Sequence, residues 1–175
     1  MKRITLLIFT IAMMMACTGG TYKSTSDGVV VNVQNRQKNG PAKVRLQVMS
    51  DGIVRVSQTP DKKFHDRNSL IILPDAQKET DFEVVESEAS VGIKTSELYV
   101  TVNKTDGVVT FMDAKGNVIS KESEPTSFAP ISVTDTKGTT TGYTTINRFN
   151  TVPEEGLFGL GQHQSDQWNY KGENE

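Results

Sequence analysis

The chain has 175 residues and a mass of 19.2 kDa, the size of one ordinary domain. Lys and Arg number 19 against 21 Asp and Glu, so there is no basic excess to attract a phosphate backbone, and nucleic acid is excluded as a partner. Two His and one Cys are too few for a Cys₄ or Cys₂His₂ zinc site and rule out an internal disulfide, and no residue pattern calls for a metal or a cofactor.

The first element is a leader. Lys2 and Arg3 precede Ile4 to Met15, an almost unbroken apolar run. About a dozen residues suit the core of a signal peptide and are short for a membrane span. The run ends in Met14-Met15-Ala16-Cys17, which resembles a bacterial lipobox with Met14 where Leu is usual. The expectation is a signal peptide over residues 1–16 and acylation of Cys17, the one Cys of the chain. The competing reading is an ordinary cleaved signal with a chance Cys. Lipidation would make the protein an exported lipoprotein, anchored in a membrane and displayed on its periplasmic or outer face. Residues 17–27 then read as lipidated Cys and tether; as nine flexible residues, Thr18 to Ser26 would reach roughly 15–18 Å.

The remainder reads as strand. From residue 17 onward Val (18), Ile (7) and Thr (18) far outnumber Leu (6) and Ala (5), a composition that favours sheet over helix. Val29 to Val33 is the first strand. Val44, Leu46 and Val48 alternate with Lys43, Arg45 and Gln47; Ser50-Asp51-Gly52 turns the chain, and Val54 and Val56 resume the alternation. Asp61 to Arg67 reads as a helical turn or a loop. Phe82/Val84 and Val91/Ile93 mark two short strands. Leu98, Val100 and Val102 alternate next, Asp106-Gly107 turns into Val108 to Met112, and Lys115-Gly116-Asn117 turns into Val118-Ile119. Ile131/Val133 and Thr144 to Phe149 close the series. Nine or ten short strands at roughly 8–12-residue spacing predict an antiparallel β-sandwich or barrel.

Few residues offer chemistry. His65 lies in the charged segment Pro60 to Arg67 and reads as a solvated histidine. His163 lies in Gly161-Gln162-His163-Gln164. There is no G-x-S-x-G elbow, phosphate loop or H-E-x-x-H, and Gly159-Leu160-Gly161 lacks the third glycine of a dinucleotide fingerprint. The carboxylates, Glu79 and Asp81 among them, fall in turns and on the exposed faces of alternating strands. Residue types alone demand no catalysis.

One stretch is more specific. Glu155 to Gln164 (E-G-L-F-G-L-G-Q-H-Q), with Trp168-Asn169-Tyr170-Lys171-Gly172, resembles the end of the N-terminal β-sandwich of glycoside hydrolase family 31, the family of α-glucosidases and α-xylosidases. Gln162-His163-Gln164 with Asn169 to Gly172 is most similar to α-xylosidase-like members. Val44 to Pro60 resembles the family's early hairpin and Leu98 to Ile119 its later strands, so the likeness covers about residues 28–172. It implies a galactose-mutarotase-like sandwich over 28–161, with 162–175 the start of a linker or loop toward a catalytic domain.

The family hydrolyses α-glycosides with two aspartates carried on a (β/α)₈ barrel of about 250 residues. That barrel is absent from these residues, so the expectation is no catalytic residue here and no activity from the chain alone. His163, Gln164 and Trp168 are candidates to approach an α-linked oligosaccharide in an intact enzyme, or equally to pack against the barrel. Phe158, Leu160, Trp168 and Tyr170 are candidates for the apolar surface that meets it. The first reading is therefore the non-catalytic N-terminal domain of a lipid-anchored α-glycosidase. A free-standing carbohydrate-binding lipoprotein is the alternative, disfavoured by only 12 scattered aromatics. An aldose-epimerase-like enzyme ranks last, with only two His to supply an acid–base pair.

Overall fold

The structure, a computed structural model, describes residues 20–65, 77–158 and 168–172. Among them there is no helix, and eleven antiparallel strands form three sheets. The first sheet runs in sequence order through β1 (Tyr22–Thr25), β2 (Gly28–Asn32), β3 (Lys43–Ser50) and β4 (Ile53–Thr59). The second follows with β5 (Glu83–Glu86), β6 (Ser90–Lys94), β7 (Leu98–Asn103), β8 (Val109–Asp113) and β9 (Val118–Lys121). The third is a two-stranded ribbon, β10 (Ser127–Asp135) and β11 (Gly138–Ile146).

Side chains alternate across a strand, so each apolar alternation in the sequence gives its sheet one oily face. Val29 and Val31 of β2 and Val44, Leu46 and Val48 of β3 supply that face on the first sheet. Val91 and Ile93 of β6, Val100 and Val102 of β7 and Val109 of β8 supply it on the second. The two faces close on each other, and none of these ten side chains is more than 2% exposed. Each such side chain stabilises the fold by about 1.5–3 kcal/mol relative to leaving it in water. The expected all-β antiparallel sandwich is therefore what forms.

The turns fall where the sequence places them. Asp51-Gly52 joins β3 to β4 and Asp106-Gly107 joins β7 to β8. Gly107 has φ +84°, and a Cβ there would come within 2.9 Å of Pro41 Cγ and 3.0 Å of Val33 Cγ2, so the turn needs glycine both for conformation and for space. Between β8 and β9 the Asp113 carboxylate accepts from the Asn117 side chain (2.8 Å) and from the backbone N–H groups of Lys115 (2.8 Å) and Asn117 (2.9 Å). The Asn117 amide, ahead of those backbone donors, holds the Asp113 carboxyl below the usual aspartate range.

Two expectations need correction. Residues 17–27 are not a tether throughout: Tyr22–Thr25 form β1 on the edge of the first sheet. Tyr22 packs on the core, and the Asn32 N–H donates to Thr21 O at 2.7 Å. The open edge of β2 supplies the partner, which a polar Tyr-Lys-Ser-Thr run does not advertise. The last strand also begins earlier than Thr144, at Gly138, because Thr136-Lys137 turns the chain between Asp135 and Gly138. Asp61 to His65, the described part of the ambiguous segment, is a bend without helix.

Candidate functional site

The ribbon is where the fold stops being self-sufficient. In β10 and β11, Phe128, Pro130, Ser132 and Thr134 share one face with Thr145, Tyr143, Thr141 and Thr139. The base of this face turns to the sandwich: Phe128 meets Tyr143 edge-on at 6.2 Å, and the Tyr143 hydroxyl donates to Asp61 Oδ1 at 3.4 Å. The opposite face carries Ile131, Val133 and Ile146, all exposed. Thr140 and Thr144 share that face, so the three apolar side chains stand exposed among threonines on a ribbon whose two strands alone would be marginal in water.

Glu122, just past β9, ties the ribbon to both sheets. Its Oε1 accepts from Gln58 Nε2 of β4 (2.8 Å), Asn147 Nδ2 beyond β11 (3.0 Å) and Thr126 Oγ1 (3.3 Å), and its Oε2 accepts from the Val109 N–H of β8 (2.8 Å). Backbone bonds at the same place run from the Ser123 N–H to Arg148 O and from the Asn150 N–H to Lys121 O, both at 2.9 Å, and Arg148 pairs with Glu124. Glu122 is 2% exposed. Burial pushes its carboxyl above the ordinary glutamate range, against the pull of the four hydrogen bonds.

An open cavity of about 260 Å³ lies over this carboxylate, walled by Val56, Phe111, Phe128 and Phe149, with Gln58, Thr126 and Asn147 at its polar end. Sequence reasoning missed it. Glu122 stands in Lys-Glu-Ser-Glu, a run that reads as a solvated turn, and the expectation that the carboxylates lie in turns and on exposed faces fails there. Apart from Thr126, four residues on, the partners are 13 to 64 residues away in the chain, so no local pattern announces them.

Beyond the ribbon, residues 168–172 fold back on 152–158. The Tyr170 N–H donates to Leu157 O (2.9 Å), the Leu157 N–H to Asn169 Oδ1 (2.9 Å), and Lys171 Nζ to the carbonyls of Val152 and Pro153. This separates the expected surface residues. Trp168 is 85% exposed and Phe158 is also exposed, as anticipated, but Tyr170 is only 8% exposed and belongs to the interior. Trp168 is thus the one candidate substrate-binding residue that is described. His163, Gln164 and the lipidation candidate Cys17 lie outside the described residues, as does Leu160. His65 is exposed as expected and faces Asp61 Oδ2 at 3.6 Å.

No group of three or more His, Cys, Asp or Glu able to hold a metal occurs among the described residues. What the described residues offer is a surface and a pocket.

Comparison with known proteins gives this architecture a place. Residues 43–173 match the profile of the glycosyl hydrolase 31 N-terminal galactose mutarotase-like domain. The crystal structure of the GH31 alpha-xylosidase from Xanthomonas citri is similar to 86% of this chain at 36% identity, with a TM-score of 0.74. A GH31 alpha-xylosidase from a soil metagenome, solved with xylose, shares the fold over 88% of the chain at 22% identity and a TM-score of 0.63. The chain spans 16% of the first protein's length and 24% of the second's.

Proposed function

The chain belongs to the N-terminal galactose mutarotase-like domains of glycoside hydrolase family 31, and from that premise we propose that it serves as the non-catalytic domain of a lipid-anchored α-glycosidase of α-xylosidase or α-glucosidase type. Its task is to support a catalytic barrel carried on the same polypeptide and to help shape the pocket that receives an α-linked oligosaccharide. The observation that carries this reading is the set of exposed apolar side chains Ile131, Val133 and Ile146 on the ribbon, with exposed Phe158 and Trp168 beyond it. A monomeric domain rarely leaves such a surface bare unless something docks there. Similarity to an alpha-xylosidase at 36% identity favours the xyloside. Acylation of Cys17 supplies the anchor, and export follows from the leader.

The test has two arms. The purified chain, assayed on aryl α-xyloside and aryl α-glucoside, turns over neither. The coding sequence read in frame past Glu175 encodes about 250 residues of alternating strand and helix. Turnover by the chain itself, or a stop codon directly after Glu175, overturns the proposal. Metabolic labelling with a fatty-acid analogue marks the wild type and not Cys17→Ser; equal labelling of the two removes the anchor from the reading.

A further inference from the structure

The chemistry of the cavity over Glu122 is one-sided. Oε2 of Glu122 accepts a single hydrogen bond, from the Val109 N–H. Gln58 Oε1 is buried and has no hydrogen-bond partner. Every donor to Glu122 is neutral, and no ion pair reaches it among the described residues. Among the described residues it is the only ionisable side chain lining the cavity. A buried carboxylate without a cation and a buried acceptor without a donor are both costly. The cavity is also lined by the side chains of Phe111, Phe128 and Phe149. Rings attract a cation through their negative faces and receive an alkyl stem through their area.

We propose that this cavity binds a small organic cation, a guanidinium or primary ammonium head on a short apolar stem, with Glu122 as its counter-ion and Phe111, Phe128 and Phe149 as its walls. The charged head faces the Glu122 carboxylate, and the stem lies among the rings toward the open mouth. A neutral isostere lacks the charge that the carboxylate selects. This proposal stands apart from the assignment as a glycosidase domain, and either survives failure of the other. The same chemistry has two sources, a free metabolite-sized amine or guanidine and the side chain of a Lys or Arg in another stretch of polypeptide.

The experiment titrates n-propylguanidinium and n-propylammonium into the chain while the Glu122 carboxyl carbon is followed by NMR. Saturable shifts at Glu122 are expected, together with a fall in its pKa on saturation. n-Propylurea, the neutral isostere, should produce none. Glu122→Gln should weaken binding about tenfold or more, and Phe149→Leu about threefold or more. Phe149 is 47% exposed, so its replacement leaves folding intact and decides the matter if Glu122→Gln does not fold. Acetyl-Gly-Arg-Gly-amide binding as tightly as n-propylguanidinium identifies a polypeptide side chain as the source; binding of the small cation alone identifies a free ligand. No saturable shift with either cation, equal binding of n-propylurea, or unchanged affinity in Phe149→Leu overturns the proposal.

Discussion

The two-sheet core and the β10–β11 ribbon are made of the same residue types and behave oppositely. In β3 every second side chain disappears between the sheets, whereas from Pro130 to Ile146 both faces of the ribbon are exposed. Both follow strand propensity and both have turns with glycine at positive φ, Gly107 in the core and Gly138 in the ribbon. The difference is a second layer. Propensity and hairpin chemistry suffice to draw a strand pair, but only an opposing apolar face makes it stable on its own. Glu122 stands at the seam, with hydrogen bonds from β4, β8 and the segments on either side of the ribbon.

This contrast can be broken most severely in the core. Leu46→Ala or Ile93→Ala should cost about 2–5 kcal/mol in urea unfolding, since each side chain is fully buried and the sandwich cannot collapse around the void. Val133→Thr in the ribbon should stay within about 0.5 kcal/mol. Equal losses would mean that the ribbon is covered in solution.

At the seam, Glu122→Ala should cost about 1–3 kcal/mol, because it strands the buried Val109 N–H and three side-chain donors. Amide exchange should then quicken in β10 and β11 more than in β6 and β7. Uniform quickening would place Glu122 in the core's cooperative unit instead.

Acidity sharpens the same point. Glu122 has a folded-state carboxyl raised by burial, so the native state binds its proton more tightly than the unfolded chain. Its contribution is therefore fully present below the unfolded value and is lost as pH rises through the folded one. Asp113 acts oppositely: lowered by Asn117, it stabilises above its unfolded value and that gain is lost as pH falls through the folded one. Replacing Glu122 by Gln should leave a variant whose stability falls more steeply on acidification than that of the wild type. Parallel curves in urea titrations across the carboxylate range would show that Glu122 titrates normally.

The smallest effect compares the two glycine turns. Gly107→Ala meets Pro41 and Val33 and adopts an unfavoured φ, while Gly138→Ala at φ +127° meets nothing within 4 Å. Both substitutions should destabilise, Gly107→Ala by about 1–3 kcal/mol and Gly138→Ala by less, since only conformational strain acts there. Melting curves of the two variants decide the order.

What could be read in advance follows the same division. Val44 to Val56 and Leu98 to Val118 announce their hairpins because alternation and turn residues are local. The family likeness of Glu155 to Gln164 was legible as well, being a contiguous run. β1 escaped because its stability comes from the open edge of β2 rather than from its own polar residues. Glu122 escaped because most of its neighbours come from distant segments of the chain, and Tyr170 because the fold-back that bonds its N–H to Leu157 O joins segments a dozen residues apart.

The pairing of β1 has a mechanical consequence for an anchored molecule. Gly20 and Thr21 already accept hydrogen bonds from Asn32, so the chain is held to the sheet from Gly20 onward. With Cys17 acylated as proposed, only three peptide links separate the lipid from the sandwich, about 10 Å fully stretched. A domain held on so short a leash would not tumble freely above the bilayer. The edge of the first sheet would then ride close to the headgroups, and whatever docks on the ribbon would meet a surface whose orientation the membrane had already chosen.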